Sequence, residues 1–127
     1  MTRLPLEVFV IVRRGDEYLV AHRTPSGGGY WHGIAGAVEH GETFAEAAKR
    51  ELEEETGLLA QPAEIAEPYV YPVDGGDGVT VHSFLVDAPD GWEPRLNEEH
   101  DDYRWCSRDE ALDLLRWPDS KEALRTL

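Results

Sequence analysis

Glu51, Glu54 and Glu55 stand directly behind Arg50, in the stretch G-A-V-E-H-G-E-T-F-A-E-A-A-K-R-E-L-E-E-E-T-G-L from Gly36 to Leu58. Residues at i, i+3 and i+4 of a helix share one side. Three carboxylates placed so repel one another unless a cation sits among them. A hard divalent ion with oxygen ligands meets that need, and metal-assisted phosphate chemistry is the reaction class it implies.

The element that must carry these residues is a helix. Thr43 followed by Glu46 is a capping box, so the helix is expected to start at Thr43. Gly57 is expected to stop it in the left-handed conformation. Phe44, Ala45, Ala48 and Leu52 form one apolar stripe with Ala47 flanking it, while Glu46, Lys49 and Glu53 fall opposite, toward water. Glu51 and Glu55 fall at the edge of the stripe, where packing draws them toward the core. Glu54 lies within roughly 60° of Glu51 on the same wheel. An unpaired carboxylate in that position costs several kcal/mol, which a bound cation offsets.

Around the helix the pattern alternates between strands and turns. Leu6–Val12 is an apolar run expected to form a buried strand. Arg14-Gly15-Asp16 reads as a turn, Tyr18–Arg23 as the returning strand, and Pro25–Gly29 as a flexible loop lacking the Gly-Lys-Ser/Thr of a P-loop. Trp31–Val38 is expected to contain a short strand. Tyr69–Val73 and Val79–Val86, joined through residues 74–78, read as a hairpin. Residues 87–94 read as a loop and Tyr103–Cys106 as the last strand. Ser107-x-x-Glu110 is expected to cap a helix through about Arg116, and Asp119-x-x-Glu122, after Pro118, a second short one. Strands, helix, strands and helices in that order imply one sheet covered on both faces.

The chain of 127 residues fits a single domain over 1–127. Its formal net charge is −14, from 26 acidic and 12 basic residues, which argues against long nucleic acid as a partner. A polyanionic substrate would also be repelled unless cations screen the site. The single cysteine, Cys106, excludes an intrachain disulfide framework and fits a reducing cytoplasm. Beside Trp105 in a strand it reads as a small buried hydrophobe rather than a nucleophile. No apolar run has the length of a transmembrane helix and no signal-peptide pattern opens the chain, so a cytoplasmic location without membrane contact is expected.

The stretch resembles the signature of the Nudix (MutT-like) hydrolases, G-x5-E-x7-R-E-U-x-E-E-x-G-U, where U is a bulky aliphatic residue. Gly36, Glu42, Arg50, Glu51, Leu52, Glu54, Glu55, Gly57 and Leu58 fill all of its fixed positions. The flanks are similar too: a strand hairpin and a Gly-rich loop precede the box, and a Glu-x5-Trp element (Glu99, Trp105) and a terminal helix follow it. The resemblance implies an α/β fold, the α/β/α sandwich with a mixed sheet between helices. It also implies Mg²⁺-dependent hydrolysis, with Mn²⁺ as an alternative ion, of a nucleoside diphosphate linked to a group X.

In that reading Glu51, Glu54 and Glu55 hold metal together with the backbone carbonyl of Gly36, and Glu51 or Glu54 polarises the attacking water. Arg50 orients a box carboxylate. The general base is left open between a box glutamate and Glu99, a further candidate ligand in Glu98-Glu99-His100-Asp101-Asp102. Arg23 is the candidate phosphate contact and Trp31 the candidate base-stacking residue, ahead of Tyr30 and Tyr71. His22 reads as structural. His32 and His100 border the cleft without metal-ligand spacing.

The substrate is expected to be a (d)NTP or related triphosphate. The Pro-Gly-Gly of many MutT-type enzymes is absent from Ile34-Ala35-Gly36-Ala37, and Trp31–Glu39 is similar to dATP/dihydroneopterin triphosphate pyrophosphatases. Diadenosine polyphosphates, ADP-ribose or nucleotide sugars are the alternatives, with Glu99–Trp105 shared by the first group and Pro72 suggesting the second. A non-catalytic nucleotide-binding module is a further reading that the intact box disfavours, and the absence of an EF-hand pattern disfavours a calcium-binding domain. The partner implied is a small nucleotide, with a homodimer as a possible assembly.

Overall fold

The computed structural model describes residues 5–72 and 78–127. Among the described residues eight strands form one mixed sheet and three α-helices cover it. The strands are β1 (Leu6–Arg14), β2 (Glu17–Arg23), β3 (Trp31–His32), β4 (Ile34–Ala37), β5 (Ala63–Glu64), β6 (Tyr69–Tyr71), β7 (Val79–Asp87) and β8 (His100–Cys106). The helices are α1 (Phe44–Thr56), α2 (Arg108–Leu114) and α3 (Pro118–Arg125).

β1 is central. On one side it runs parallel to β7, from Leu6↔Thr80 to Arg13↔Asp87. Its other side is divided between two antiparallel partners: β4 at its start (Glu7↔Ala37 to Val10↔Ile34) and β2 at its end (Arg13↔Tyr18). β2 in turn pairs with β8 and β3, so the β2–β3–β8 arm and β4 part company along β1. The candidate chemistry lies against β4, at this division.

Side-chain alternation along β1 builds two cores. Val8, Val10 and Val12 pack with Ala47, Ala48 and Leu52 of α1. Phe9 and Ile11 pack on the other face with Ala111, Leu115, Ala123 and Leu124 from α2, α3 and their junction. Burying a side chain such as Leu52 completely stabilises the fold by roughly 1.5–3 kcal/mol. This is the expected α/β/α sandwich.

α1 begins with the capping box: the Glu46 N–H donates to Thr43 Oγ1 (3.1 Å) and the Thr43 N–H to Glu46 Oε1 (2.8 Å). It ends at Gly57 in the left-handed conformation. The buried stripe differs from the expected one. Ala45 is exposed, Ala47 is fully buried, and the stripe runs through Ala47, Ala48, Glu51, Leu52 and Glu55. The helix is rotated so that its carboxylate edge, not its N-terminal Ala45, meets the sheet.

Other boundaries also shift. Pro25–Gly27 forms a short 3-10 turn within the Gly-rich loop. Trp31–Val38 is two short strands rather than one. β5 is an additional two-residue strand. β6 and β7 pair as the expected hairpin, Tyr69↔Val81 to Tyr71↔Val79; of its turn, residues 74–77 lie outside the described residues. β8 starts at His100, so part of the acidic stretch before Tyr103 is strand. α2 has the expected Ser107–Glu110 box but ends at Leu114, because Leu115 is extended. α3 is entered from Trp117 with Pro118 in its first turn, and Asp119 is not its cap. Its carboxylate is turned into the protein instead. Among the described residues no helix is long and apolar enough to cross a membrane.

Candidate active site

The centre of the site is Arg50, which gathers the acidic residues of the box. Its Nε and Nη2 donate to the two oxygens of Glu42 (2.8 and 3.0 Å), its Nη1 to Glu51 Oε1 (2.7 Å), and its Nη2 also to the Ala37 carbonyl (2.9 Å). Glu54 Oε2 lies 3.4 Å from Nη1 and Glu39 Oε1 3.6 Å. The guanidinium therefore fastens α1 to the end of β4 and aims Glu51. The Glu42 hydrogen bonds, and then those of Glu51, raise the Arg50 pKa, and Glu42 is correspondingly lowered by Arg50.

Glu51 is buried with its carboxylate against the backbone of Gly36; a Cβ at Gly36 would overlap it. Only glycine at this point of β4 lets the helix carboxylate and the strand backbone meet. Glu55, one turn further on, has 0% exposure and neither carboxylate oxygen has a hydrogen-bond partner. Burial pushes its pKa up first, and the nearby Glu51 and Glu99 push it further. His100 Nε2 stands 3.8 Å from Glu55 Oε1, also buried and without a hydrogen bond. Glu54 is about half exposed. Among the described residues no three His, Cys, Asp or Glu side chains are gathered as a finished metal cluster. The donor set nonetheless fits a hard cation: oxygen ligands, with the two of Glu55 orphaned in the interior and those of Glu51 set against a bare glycine backbone.

A cavity of about 630 Å³ opens on this arrangement, and Gly36, Glu51, Arg23 and Glu99 line it. Arg23 is steadied by donating from Nε to the Gly27 carbonyl (3.0 Å). Glu99 is held in place by its backbone: its carbonyl accepts from Thr24 N–H (3.1 Å) and its N–H donates to Asn97 Oδ1 (3.1 Å). Glu98 does not line the cavity. The loop carrying Glu99 is fastened at Arg95, whose N–H donates to the Thr56 carbonyl at the end of α1 (2.8 Å). It is fastened again at Glu93, which accepts from Arg14 (2.6 Å), Tyr103 Oη (2.8 Å) and Trp105 Nε1 (3.0 Å). Trp105 of the Glu-x5-Trp element thus anchors the loop and does not itself line the cavity.

Trp31, the expected base-stacking residue, lies elsewhere. It does not line the cavity: its ring meets His22 edge-on (4.9 Å) and lies under the Arg104 guanidinium (4.7 Å). Tyr30 and Trp117 supply the aromatic lining instead. His22 is structural, paired through Nδ1 with Asp101 (2.7 Å). Cys106 is buried, and burial raises its thiol pKa. His32 also lines the cavity, stacked on Phe9 (5.6 Å), with its pKa pushed down to about 4 by burial and then by the Arg23 charge. Sequence reasoning missed Trp117 and Asp119, and ranked Tyr71 low. An aspartate after a proline at a helix start carries no local sign that it turns inward.

A profile of the NUDIX domain matches residues 3–127. The chain is 37% identical over 111 residues to the NAD-capped RNA hydrolase NudC of Haemophilus influenzae (strain PittEE), covering 83% of this chain and 40% of that one. It is 34% identical over 100 residues to the asymmetrical bis(5'-nucleosyl)-tetraphosphatase of Rattus norvegicus, covering 76% and 68%. The chain spans less than half the length of the first curated relatives it matches. In structure it superimposes on the E. coli dihydroneopterin triphosphate pyrophosphohydrolase with a TM-score of 0.86, at 21% identity, over 100% of this chain and 97% of that one.

Proposed function

The chain belongs to the Nudix hydrolase family, and on that premise we propose that it hydrolyses the phosphoanhydride of a nucleoside diphosphate linked to a further group, with (d)NTPs or related triphosphates as substrates. The observation that carries this reading is the orphaned carboxylate of Glu55, one helical turn from Glu51, whose own carboxylate lies against the Gly36 backbone at the wall of a cavity large enough for a nucleotide.

Family members generally use divalent cations. In this reading Glu51, Glu54, Glu55 and the Gly36 carbonyl hold Mg²⁺ or Mn²⁺. Bound there, such an ion neutralises phosphoryl charge and lowers the pKa of water. The remaining work falls to the protein. Arg50 fixes Glu51 by hydrogen bonding. Arg23 meets the phosphate chain. Water attacks phosphorus, its proton passes to a carboxylate, and the P–O–P bridge breaks with the electron pair leaving on the departing phosphate. Glu99 is the proton acceptor in this scheme: it lines the cavity on a loop fixed by hydrogen bonds, whereas Glu51 is engaged by Arg50.

The rat relative's name supports dinucleoside polyphosphates as a second substrate group, and that of NudC a nucleotide cap on RNA. For the latter the charge of −14 restricts recognition to the capped end. ADP-ribose and nucleotide sugars have no such support. The buried lone Cys106 fits a cytoplasmic setting. The test is a product-resolved assay with Mg²⁺ or Mn²⁺ on NTPs, dNTPs, diadenosine polyphosphates, ADP-ribose and NAD-capped RNA. Release of pyrophosphate and monophosphate from a triphosphate is the expected result. Absence of turnover on every substrate would overturn the reading.

A further inference from the structure

Glu51 and Glu99 line the cavity, and the buried groups beside them, Glu55 and His100, face each other. His100, the first residue of β8, is 4% exposed, and neither of its ring nitrogens has a hydrogen-bond partner. Its Nε2 stands 3.8 Å from Glu55 Oε1, and both Glu55 oxygens are equally without partners. Two orphaned polar groups in the interior are costly as they stand. The strand departs from regular geometry to bring them together. Farther along β8, Tyr103 and Trp105 pack on the core that α1 covers. Regular alternation would put His100 on the opposite face, with Asp102 and Arg104. The ladder with β2 slips instead: His22 pairs with Asp102 and Arg23 with His100, so Asp101 is an extra residue in β8. A bulge of this kind re-aims side chains and is over-represented at sheet edges and next to active sites. Here it turns His100 toward α1, while Asp101 stays exposed and pairs with His22 Nδ1 (2.7 Å).

We propose that His100 is a positioning residue for metal binding: its Nε2–H donates to one oxygen of the Glu55 carboxylate and leaves the other oxygen for the cation. The inference rests on the reading that Glu55 holds a divalent ion. An ionised carboxylate offers two oxygens and no donor of its own. When a cation takes one oxygen in the interior, the other needs a donor, and a ligating carboxylate is ordinarily hydrogen-bonded in this way. Arg50 does not fill the place, because Glu42, Glu51 and the Ala37 carbonyl engage its guanidinium. Neutral imidazole has one N–H to give, and the position of Glu55 assigns it to Nε2. At 3.8 Å the two groups are short of a hydrogen bond, so the bond is one that closes on metal binding. A histidine kept only for its bulk would have no preference for which nitrogen faces the carboxylate.

The test titrates the full chain with Mn²⁺ alone and follows the electron paramagnetic resonance signal of the free ion. The wild type is compared with His100→Gln, His100→Asn and His100→Phe, each checked for folding by thermal denaturation. Gln sets its amide nitrogen where Nε2 stands, Asn where Nδ1 stands, and Phe keeps the bulk without either donor. Mn²⁺ affinity is expected to fall about 10–100-fold in His100→Phe and His100→Asn, the range of a lost outer-shell partner, and to stay within about threefold of the wild type in His100→Gln. In a Glu55→Gln background His100→Phe should cause no further loss, because the partner is already gone. Should His100→Phe not fold, the difference between Gln and Asn decides. Wild-type affinity in His100→Asn or His100→Phe, or a loss in His100→Gln as large as theirs, would overturn the proposal and leave the hydrolytic reading in place. A wild-type protein that binds no Mn²⁺ would overturn both.

Discussion

The two ends of the cavity treat a buried carboxylate in opposite ways. At the α1 end Glu51 is tied to Arg50, while Glu55, deeper still, has no hydrogen-bond partner for either oxygen. At the α3 end Asp119 is nearly as buried, yet it has a tyrosine hydroxyl as partner. A carboxylate left bare in the interior is costly unless a cation joins it. One already partnered by neutral donors has room only for further donors. The contrast is between a carboxylate that invites a cation and one already partnered by a neutral donor.

The largest test of that division is Glu54→Gln. It should reduce turnover by roughly 10²–10⁴-fold, the range of a lost catalytic group, with the thermal denaturation curve unchanged. Wild-type turnover would remove Glu54 from the chemistry. Glu99→Ala is expected to lower kcat by about 10²-fold and to leave nucleotide affinity intact, as loss of a base does. A pH–rate profile identical to that of the wild type would return Glu99 to the role of a solvated loop residue.

Arg50→Met should destabilise the protein by about 2 kcal/mol, less than the ~3–5 kcal/mol of a wholly buried pair because the guanidinium is partly exposed. Urea denaturation measures it. A loss within error would mean that the acidic cluster tolerates its own repulsion.

A smaller effect separates the α3 end. The folded pKa of Asp119 lies above its unfolded value, so the folded state holds the proton more tightly. That contribution is fully present below the unfolded pKa of about 3.9 and is lost as pH rises through the folded value. Asp119→Asn has no such titration. Its stability relative to the wild type should therefore rise as pH increases above about 4 and level off beyond the folded pKa. Parallel stability curves across that range would show that Asp119 is not held in the interior as described. The smallest effect is expected for Trp31→Leu: stability falls through lost contacts with His22 and Arg104, while KM stays within about threefold. A tenfold rise in KM would restore Trp31 to the substrate site.

The same two ends differ in how far the sequence discloses them. Glu51, Glu54 and Glu55 lie within two helical turns, and a capping box and a stop glycine bound their helix, so local spacing alone brings them together. Even there periodicity puts Ala45 inside while the structure exposes it, because the sheet contact and not helical periodicity fixes the rotation of α1. The α3 end joins residues 48 positions apart, and Asp119 bears the local pattern of an N-cap. Only the approach of β6 to α3 turns its side chain inward. β8 begins three residues before the expected Tyr103: its first residues are largely acidic, a pattern that an edge strand tolerates and that periodicity alone does not mark as strand.

The most direct measurement is a crystal structure of the wild-type protein with Mn²⁺ and a non-hydrolysable nucleotide, with the ion located by its anomalous signal. The account predicts manganese bounded by Glu51, Glu54 or Glu55 and the Gly36 carbonyl, with the nucleotide's phosphates beside it. Glutamates free of any ion, with the nucleotide seated outside this cavity, would contradict it.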